Sequence, residues 1–455
     1  MPDRTRAGDL FRQRPIWAVP LVIGTILIAI MTVLYVGSTV DPISHMHDLP
    51  VSVVNQDAGA DVDGRHVNVG RIVETSLTGA PAITRKLSVR ASTLAAAKSR
   101  MDRGASYATV VIPSGLTADL LAIGTDKPTP ALRSGLPQIL ILSNVRAGTE
   151  GASLAGGVLQ PALAQISHAI GQRVAVLVSR RGAPSAAASA VFANPLAVAT
   201  TPYRPLAKKA ALGLSAFYAA LLTLMCGFIG AAIVNGVLDG ALGYAATEIG
   251  PRWEQRRPVL ISRWQTLFAK WGVAVGLTAV LVAVMLLIAA ALLGLDAPDP
   301  FLLWLYGWFC AATVAIGTLA LIAVLGTQGQ LVALLLFAYL GLASAGGTVP
   351  IEALPGVLKV VSHADPLRQI LGGVRSILYF DGRADAGLGQ GAIATGIGLV
   401  FWLAFGAFFA KSYDRKGLNR MDPALLEYVN RAADAYAPGG SSARVPSGTS
   451  SSRTR

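Results

Sequence analysis

The sequence predicts a membrane α-helical fold: six transmembrane helices with one α+β extracytoplasmic domain inserted between the first and the second. Three observations predict it. Only 14% of the 455 residues are charged and 53% are hydrophobic, whereas soluble domains carry about 25% charged residues. Five long windows, 15–40, 210–238, 271–295, 301–351 and 386–410, contain no Asp, Glu, Lys or Arg. Between the first two windows, 38–209 is polar enough and long enough to fold in water.

Crossing about 30 Å of hydrocarbon takes about 20 apolar residues at 1.5 Å each, and every window meets that length. The fourth is too long for one helix. It breaks at Gly326-Thr327-Gln328-Gly329-Gln330, so it holds two spans. The predicted order begins with a cytoplasmic N-terminus at 1–15, a transmembrane helix at 16–37 and the extracytoplasmic domain at 38–209. A five-helix transmembrane domain follows at 210–412, with helices near 210–236, 268–295, 301–325, 330–349 and 391–411. A cytoplasmic tail at 413–455 turns to Pro, Gly, Ser and Arg and is predicted to be disordered at its end. Arg4, Arg6, Arg12 and Arg14 precede the first span as they would a secretory signal. The run is longer than a signal core of about 7–15 residues and exits through Tyr35-Val36-Gly37-Ser38 rather than an A-x-A-type site, which favours an uncleaved anchor.

Basic residues retained on the cytoplasmic side set the orientation. The N-terminal arginines, the loop with Arg252, Arg256, Arg257 and Arg263, and the end with Lys411, Arg415, Lys416 and Arg420 all fall inside. The turn with Asp296 and Asp299 falls outside. This reading accounts for the net charge of +13 without nucleic acid, and the plasma membrane is the expected location. Cys226 and Cys310 both lie inside apolar runs, so no disulfide framework is available to the polar domain.

Within 38–209, strands are predicted at Leu49–Asn55, Tyr107–Pro113 and Gln138–Ser143. Leu94, Ala97, Lys98 and Met101 predict a helix stopped at Arg103-Gly104. Leu154, Val158, Leu163, Ile166, Ile170, Val174 and Leu177 predict a long amphipathic helix, kinked at Pro161, that packs on the sheet or pairs with a second copy. The segment 182–205 reads as a return linker.

No G-x-x-x-x-G-K-[ST] loop, G-x-S-x-G elbow, H-E-x-x-H or paired-cysteine spacing occurs, so the sequence predicts no catalytic residue, no bound metal and no enzyme. Asp41, His45, His47 and Asp48 could bring two imidazoles to one face, or form an ordinary juxtamembrane connector. The spans show no ionisable group at mid-depth, which counts against a proton relay. The loop 239–265, with Glu248, Arg252, Trp253, Glu254, Arg256 and Arg257 and with one tryptophan set between Pro251 and Pro258, reads as a docking helix or as a plain positive-inside loop. Leu10 to Arg14 reads as an interfacial helix or as retention charge. Outside, Gly346, Gly347, Pro350, Pro355 and Pro366 break the fifth span near the outer face. Irregular backbone at that depth must be buried in protein or line a cavity, which makes a re-entrant loop that gates a path or caps the bundle.

In their order, these features resemble type 2 ABC exporter permeases, in particular the phage infection protein branch. The resemblance rests on one span, an outer domain opening with Val53-Val54-Asn55-Gln56-Asp57, Arg103-Gly104 followed by Ala108-Thr109-Val110-Val111-Ile112-Pro113, five further spans, and Gly346-Gly347-Thr348-Val349-Pro350 with Leu354-Pro355-Gly356. It covers 11–411 and implies a homodimeric membrane subunit that moves an amphipathic or lipidic substrate outward. It also implies a cytosolic P-loop ATPase partner that carries the ATP, since this chain binds no cofactor, and contact with that partner through Glu248, Arg252, Trp253, Arg256 and Arg257. Two other readings remain at this stage: an ion-coupled exporter without an ATPase, and a non-transporting envelope protein or phage receptor whose outer domain binds a partner.

Overall fold

The computed structural model describes residues 14–39, 41–62, 64–124, 136–179, 191–206, 210–254, 256–418, 420, 426–428 and 431. The expected interfacial stretch before Arg14 and nearly all of the expected disordered tail lie outside them.

Helix α1 (Arg14–Thr39) leads into a five-stranded sheet. Its strands are β1 (Leu49–Asn55), β4 (Leu87–Ala91), β5 (Ala108–Ile112), β6 (Gln138–Ser143) and β7 (Ala197–Pro202), in the order β4-β1-β5-β6-β7. A small hairpin, β2 (Ala60–Val62) and β3 (Arg65–Val67), stands apart. β1 pairs in parallel with β4 and β5, β5 runs antiparallel to β6, and β6 pairs in parallel with β7. Strands covered on both faces read as continuous apolar runs rather than alternating ones, and β1 and β5 are buried along almost their whole length.

One face of the sheet is covered by α2 (Val69–Gly79), α4 (Leu116–Gly124) and α5 (Thr149–Ser179). Val73 and Leu77 of α2, Leu116 and Leu120 of α4, and Leu159, Leu163, Ile170 and Val174 of α5 share a core with Val51, Val53, Val110, Ile139 and Ile141. The long helix therefore packs on the sheet. On the other face lies α3 (Leu94–Asp102), whose Met101 sulfur accepts a hydrogen bond from the Thr109 hydroxyl at 3.1 Å. The stretch expected to be a linker is instead partly structured, since β7 completes the sheet edge. Its Ala-Val-Ala-Thr-Thr run has little apolar bulk of its own, and its pairing with β6 supplies the order.

Among the described residues, five helices are long and apolar enough to cross a membrane: Leu21–Thr39 within α1, Ala211–Ala241 containing α6 (Leu214–Ala241), Arg263–Leu292 containing α7 (Arg263–Leu287), α8 (Pro300–Leu325), and, at the end, α12 (Leu388–Arg415). Helix α8 is central, with 72% of its apolar window buried against 6% for Leu21–Thr39. Between α8 and α12 come α9 (Gln328–Ser344), α10 (Gly356–Ser362) and α11 (Pro366–Tyr379). Helix α9 passes through a π-helical stretch at Leu334–Tyr339 and, at about 1.5 Å per residue, reaches only about 26 Å. The helix expected to run to 349 stops at Ser344 because Gly346 turns the chain at φ +71°. Helix α11 packs on α6, α8 and α12 at the end next to the sheet domain, with Ile370, Leu371, Val374 and Ile377 buried in the bundle core.

Candidate functional site

Two buried polar clusters join the parts of the molecule, one at each end of the helical bundle. At the end away from the sheet domain, the helices extend past the uncharged windows and carry charge with them. Asp239 lies in the last turn of α6, and Lys270 lies seven residues into α7, about 10 Å from its start. The Lys270 Nζ donates to Asp239 Oδ1 at 2.7 Å and to Asn235 Oδ1 at 2.7 Å, and both charged residues are buried. Arg420, beyond α12, donates to both oxygens of Asp239 at 2.6 and 3.0 Å and stacks 4.7 Å over the Tyr244 ring. Buried charges persist when paired in this way. A cavity of about 180 Å³ opens beside the cluster, lined by Asn235, Arg263, Thr266, Lys270 and Arg420 together with the C-terminal end of α8. Nearby, the Asp414 carboxylate accepts from the Arg263 and Trp264 backbone N–H groups at 2.9 and 3.0 Å. The last turn of α12 thus caps the first turn of α7 with a carboxylate, as a helix N-terminus favours.

This cluster holds the base of the loop expected to dock a partner. That loop is not a helix. It forms a hairpin of β8 (Thr247–Ile249) and β9 (Arg252–Glu254), with Glu248 opposite Trp253 and Ile249 opposite Arg252. The Gly250-Pro251 pair explains the difference: Gly250 sits at φ +59°, and proline in a helix interior would remove a bond and clash. The base of the loop is pinched where Val259 N–H donates to Leu242 O at 3.0 Å and the Tyr244 hydroxyl donates to Val259 O at 2.7 Å. Glu248, Glu254, Arg256 and Arg257 are exposed, and Arg256 pairs with Glu254 at 3.4 Å.

At the end next to the sheet domain, the sheet and the α9–α11 elbow share one core. Val349, Ala353, Leu354 and Leu358 pack with the sheet residues. Glu352 is the polar centre: its carbonyl accepts from His47 N–H at 3.0 Å and its carboxyl accepts from the Tyr107 hydroxyl at 3.4 Å. Burial raises the Glu352 carboxyl above the usual carboxylate range and pushes the Tyr107 phenol upward as well. Asp365 caps α11, accepting from Leu367 N–H at 2.9 Å and from the Ser344 hydroxyl at 3.1 Å, and burial raises it to about 6. Arg375 donates to the Gly346 and Gly347 carbonyls at 3.4 and 3.5 Å. Arg146, just after β6, donates to Tyr379 O at 2.9 Å and so ties the sheet to the end of α11.

Of the residues expected at the outer gate, Gly346 and Gly347 take part in this contact, while Pro350, Pro355 and Pro366 each precede or begin a short helix of the elbow. Gly347 is required for space, since a Cβ there would lie 2.0 Å from the Phe217 ring at the start of α6. The Asp41 to Asp48 stretch does not converge as a metal site. Asp41 caps a short helix through Ser44 N–H, His45 contacts Asp41 O, and His47 contacts Arg85 O. Among the described residues, no group of three or more His, Cys, Asp or Glu side chains is placed to hold a metal ion. Sequence reasoning missed Asp239 and Lys270 because windows that exclude charge end at the first charged residue, although the helices do not. The spacing of Asn235 and Asp239, one helical turn apart, was the available signal.

The fold and its two clusters define a multi-pass helical membrane protein with a sheet domain built into its chain. A family model described as a protein of unknown function, DUF3533, matches residues 20–404, from α1 through α12, and the chain belongs to that family. No curated protein matches it.

Proposed function

We propose that this protein is the membrane subunit of an exporter in the plasma membrane. In this reading α9 counts as a sixth span, the sheet domain lies outside the cell, and both termini lie in the cytoplasm. Two copies act together, driven by a cytosolic P-loop ATPase that binds the ATP. The observation that carries the reading is the pinched β8–β9 hairpin seated on the Asp239–Lys270–Arg420 cluster. A push on the exposed hairpin reaches α6 and α7 through buried, charge-assisted bonds, which are stronger and more directional than neutral ones. The far end of α6 meets Gly347, and the elbow shares its core with the sheet domain, so movement at one end has a packed route to the other. The cargo is amphipathic or lipidic, in keeping with apolar helices that present exposed Leu, Ile, Val and Phe side chains. As a type 2 permease of the phage infection protein branch, the chain binds no cofactor and performs no covalent step.

The test is affinity purification in mild detergent, with identification of co-purifying chains, for the native protein and for Glu248→Ala with Arg256→Ala. A P-loop ATPase that accompanies the native protein and is lost from the variant is the expected result. Purification without any ATPase under gentle conditions overturns ATP coupling.

One observation favours a second reading, an ion-coupled exporter. Ionisable groups inside membrane helices mark ion pathways by default, and the buried Asp239–Lys270 pair beside a cavity is such a group. Transport that persists without an ATPase and collapses with the proton gradient selects this reading.

A further inference from the structure

The largest cavity described lies in the sheet domain, away from both clusters. It is a groove of about 430 Å³ between α5 and the segment that runs from α2 to β4. That volume falls in the range of about 300–1,000 Å³ typical of small-molecule sites, which are mostly apolar with a few placed polar groups. The floor follows that pattern: Ile72, Val158, Ala162, Ile166 and Ile170 are apolar and only partly covered or buried. From Gly157 to Arg173, the lined stretch of α5 is about 24 Å long. One acyl chain reaches about half of the ~30 Å hydrocarbon core, or about 15 Å, so the stretch is long enough to hold one.

Charge selects the occupant. Two cations, Lys86 and Arg173, line the groove, and no acidic residue does. Among the described residues, neither cation has an ion-pair partner or a side-chain hydrogen bond. A neutral lipid would leave both charges unanswered, and a small hydrophilic anion would leave the apolar floor uncovered.

We propose that this groove binds a single-chain anionic amphiphile, its acyl chain along α5 and its anionic head at Lys86 and Arg173. This deepens the exporter reading by naming the chemical class of the cargo, and it rests on that reading only for the direction in which the cargo moves. Helix α5 starts where the Thr149 hydroxyl donates to Leu212 O beside α6, so the groove begins about 12 Å along the helix from the bundle. An amphiphile leaving the outer leaflet meets it there.

The test uses the full chain in nanodiscs of zwitterionic phosphatidylcholine, photo-crosslinked with diazirine-bearing palmitic acid and mapped by peptide mass spectrometry. Label is expected on 157–173. Gly157 has open space where a side chain would project, so Gly157→Phe fills the groove and is expected to cut that label by about tenfold, equivalent to about 1.4 kcal/mol. Gly156→Phe, also in open space but outside the lining, leaves it unchanged. Lys86→Glu with Arg173→Glu, a surface change that keeps the core intact, lowers the label severalfold, and the matching palmityl alcohol probe labels weakly in every variant. Label confined to the membrane helices, or unaffected by both groove variants, overturns the site; equal labelling by the alcohol overturns its anionic selectivity. A labelled groove in a protein that moves no cargo sinks the exporter reading and leaves the site standing.

Discussion

Breaking a buried ion pair from one side leaves a charge without its counterpart, at a cost of about 3–5 kcal/mol. The Asp239–Lys270–Arg420 cluster makes the two sides unequal. Asp239→Asn strands both Lys270 and Arg420, whereas Lys270→Met leaves Asp239 still paired with Arg420. Thermal unfolding in detergent should therefore show the larger drop for Asp239→Asn, and the double variant should lie above Asp239→Asn alone. Equal drops for the two single variants would mean that Arg420 does not share the carboxylate. The glycine beside the start of α6 makes a second single-residue case. Gly347→Ala places a methyl group 2.0 Å from the Phe217 ring, an overpacking that costs typically about 1–3 kcal/mol. Phe217→Leu in the same chain should restore part of the loss, and a lone Gly347→Ala with unchanged melting would refute the close approach.

Helix α11 gives the α9–α11 elbow a pH dependence whose direction follows from burial. Asp365 is raised to about 6, so its folded pKa exceeds its unfolded value of about 3.9. Such a group contributes stability that is fully present below the unfolded value and lost as pH rises through about 6. Glu352 is also raised by burial and acts in the same direction. Backbone hydrogen exchange across α9–α11, corrected for intrinsic rates, should be slower at pH 5 than at pH 7.5. Asp365→Asn should flatten most of that difference. A difference that survives in this variant assigns the effect to Glu352 or to another group. The β8–β9 hairpin teaches a related lesson about short elements: charge and aromatic content there pointed to docking, but Gly250-Pro251 decided the backbone.

Taken together, the elements form one connected path, from an exposed hairpin through α6 and α7 to an elbow that shares its core with a sheet domain. The proposed orientation places hairpin and sheet on opposite sides of the membrane. With Cys226 and Cys310 replaced by serine and alanine, single cysteines at Thr201 and Glu254, both exposed positions, test it in intact cells. A membrane-impermeant maleimide should label the first and reach the second only after permeabilisation. Labelling of both in intact cells would place hairpin and sheet on the same side.

Much of this was legible in the order of residues. Membrane helices announce themselves because hydrocarbon tolerates so few charges, and the windows located α1, α6, α7, α8 and α12, although α7 begins eight residues before its window and one window spans both α8 and α9. The central strands β1 and β5 were readable because strands buried on both faces are apolar throughout, and β6 through its apolar Ile-Leu-Ile-Leu run. The edge strands β4 and β7 were not, since Leu-Ser-Val-Arg-Ala and Ala-Val-Ala-Thr-Thr owe their order to a neighbour's hydrogen bonds. The candidate sites divide in the same way. Gly346 and Gly347 were visible as helix breakers, but their partners Arg375 and Phe217 stand far away in the chain. Asp239, Lys270 and Arg420 carry no local sign of their pairing, because a buried charge becomes acceptable only when folding supplies its counterpart. Local composition therefore determined which segments leave water and which remain in it, whereas long-range contact chose the partners, since pairing energy depends on distances that no run of neighbouring residues encodes.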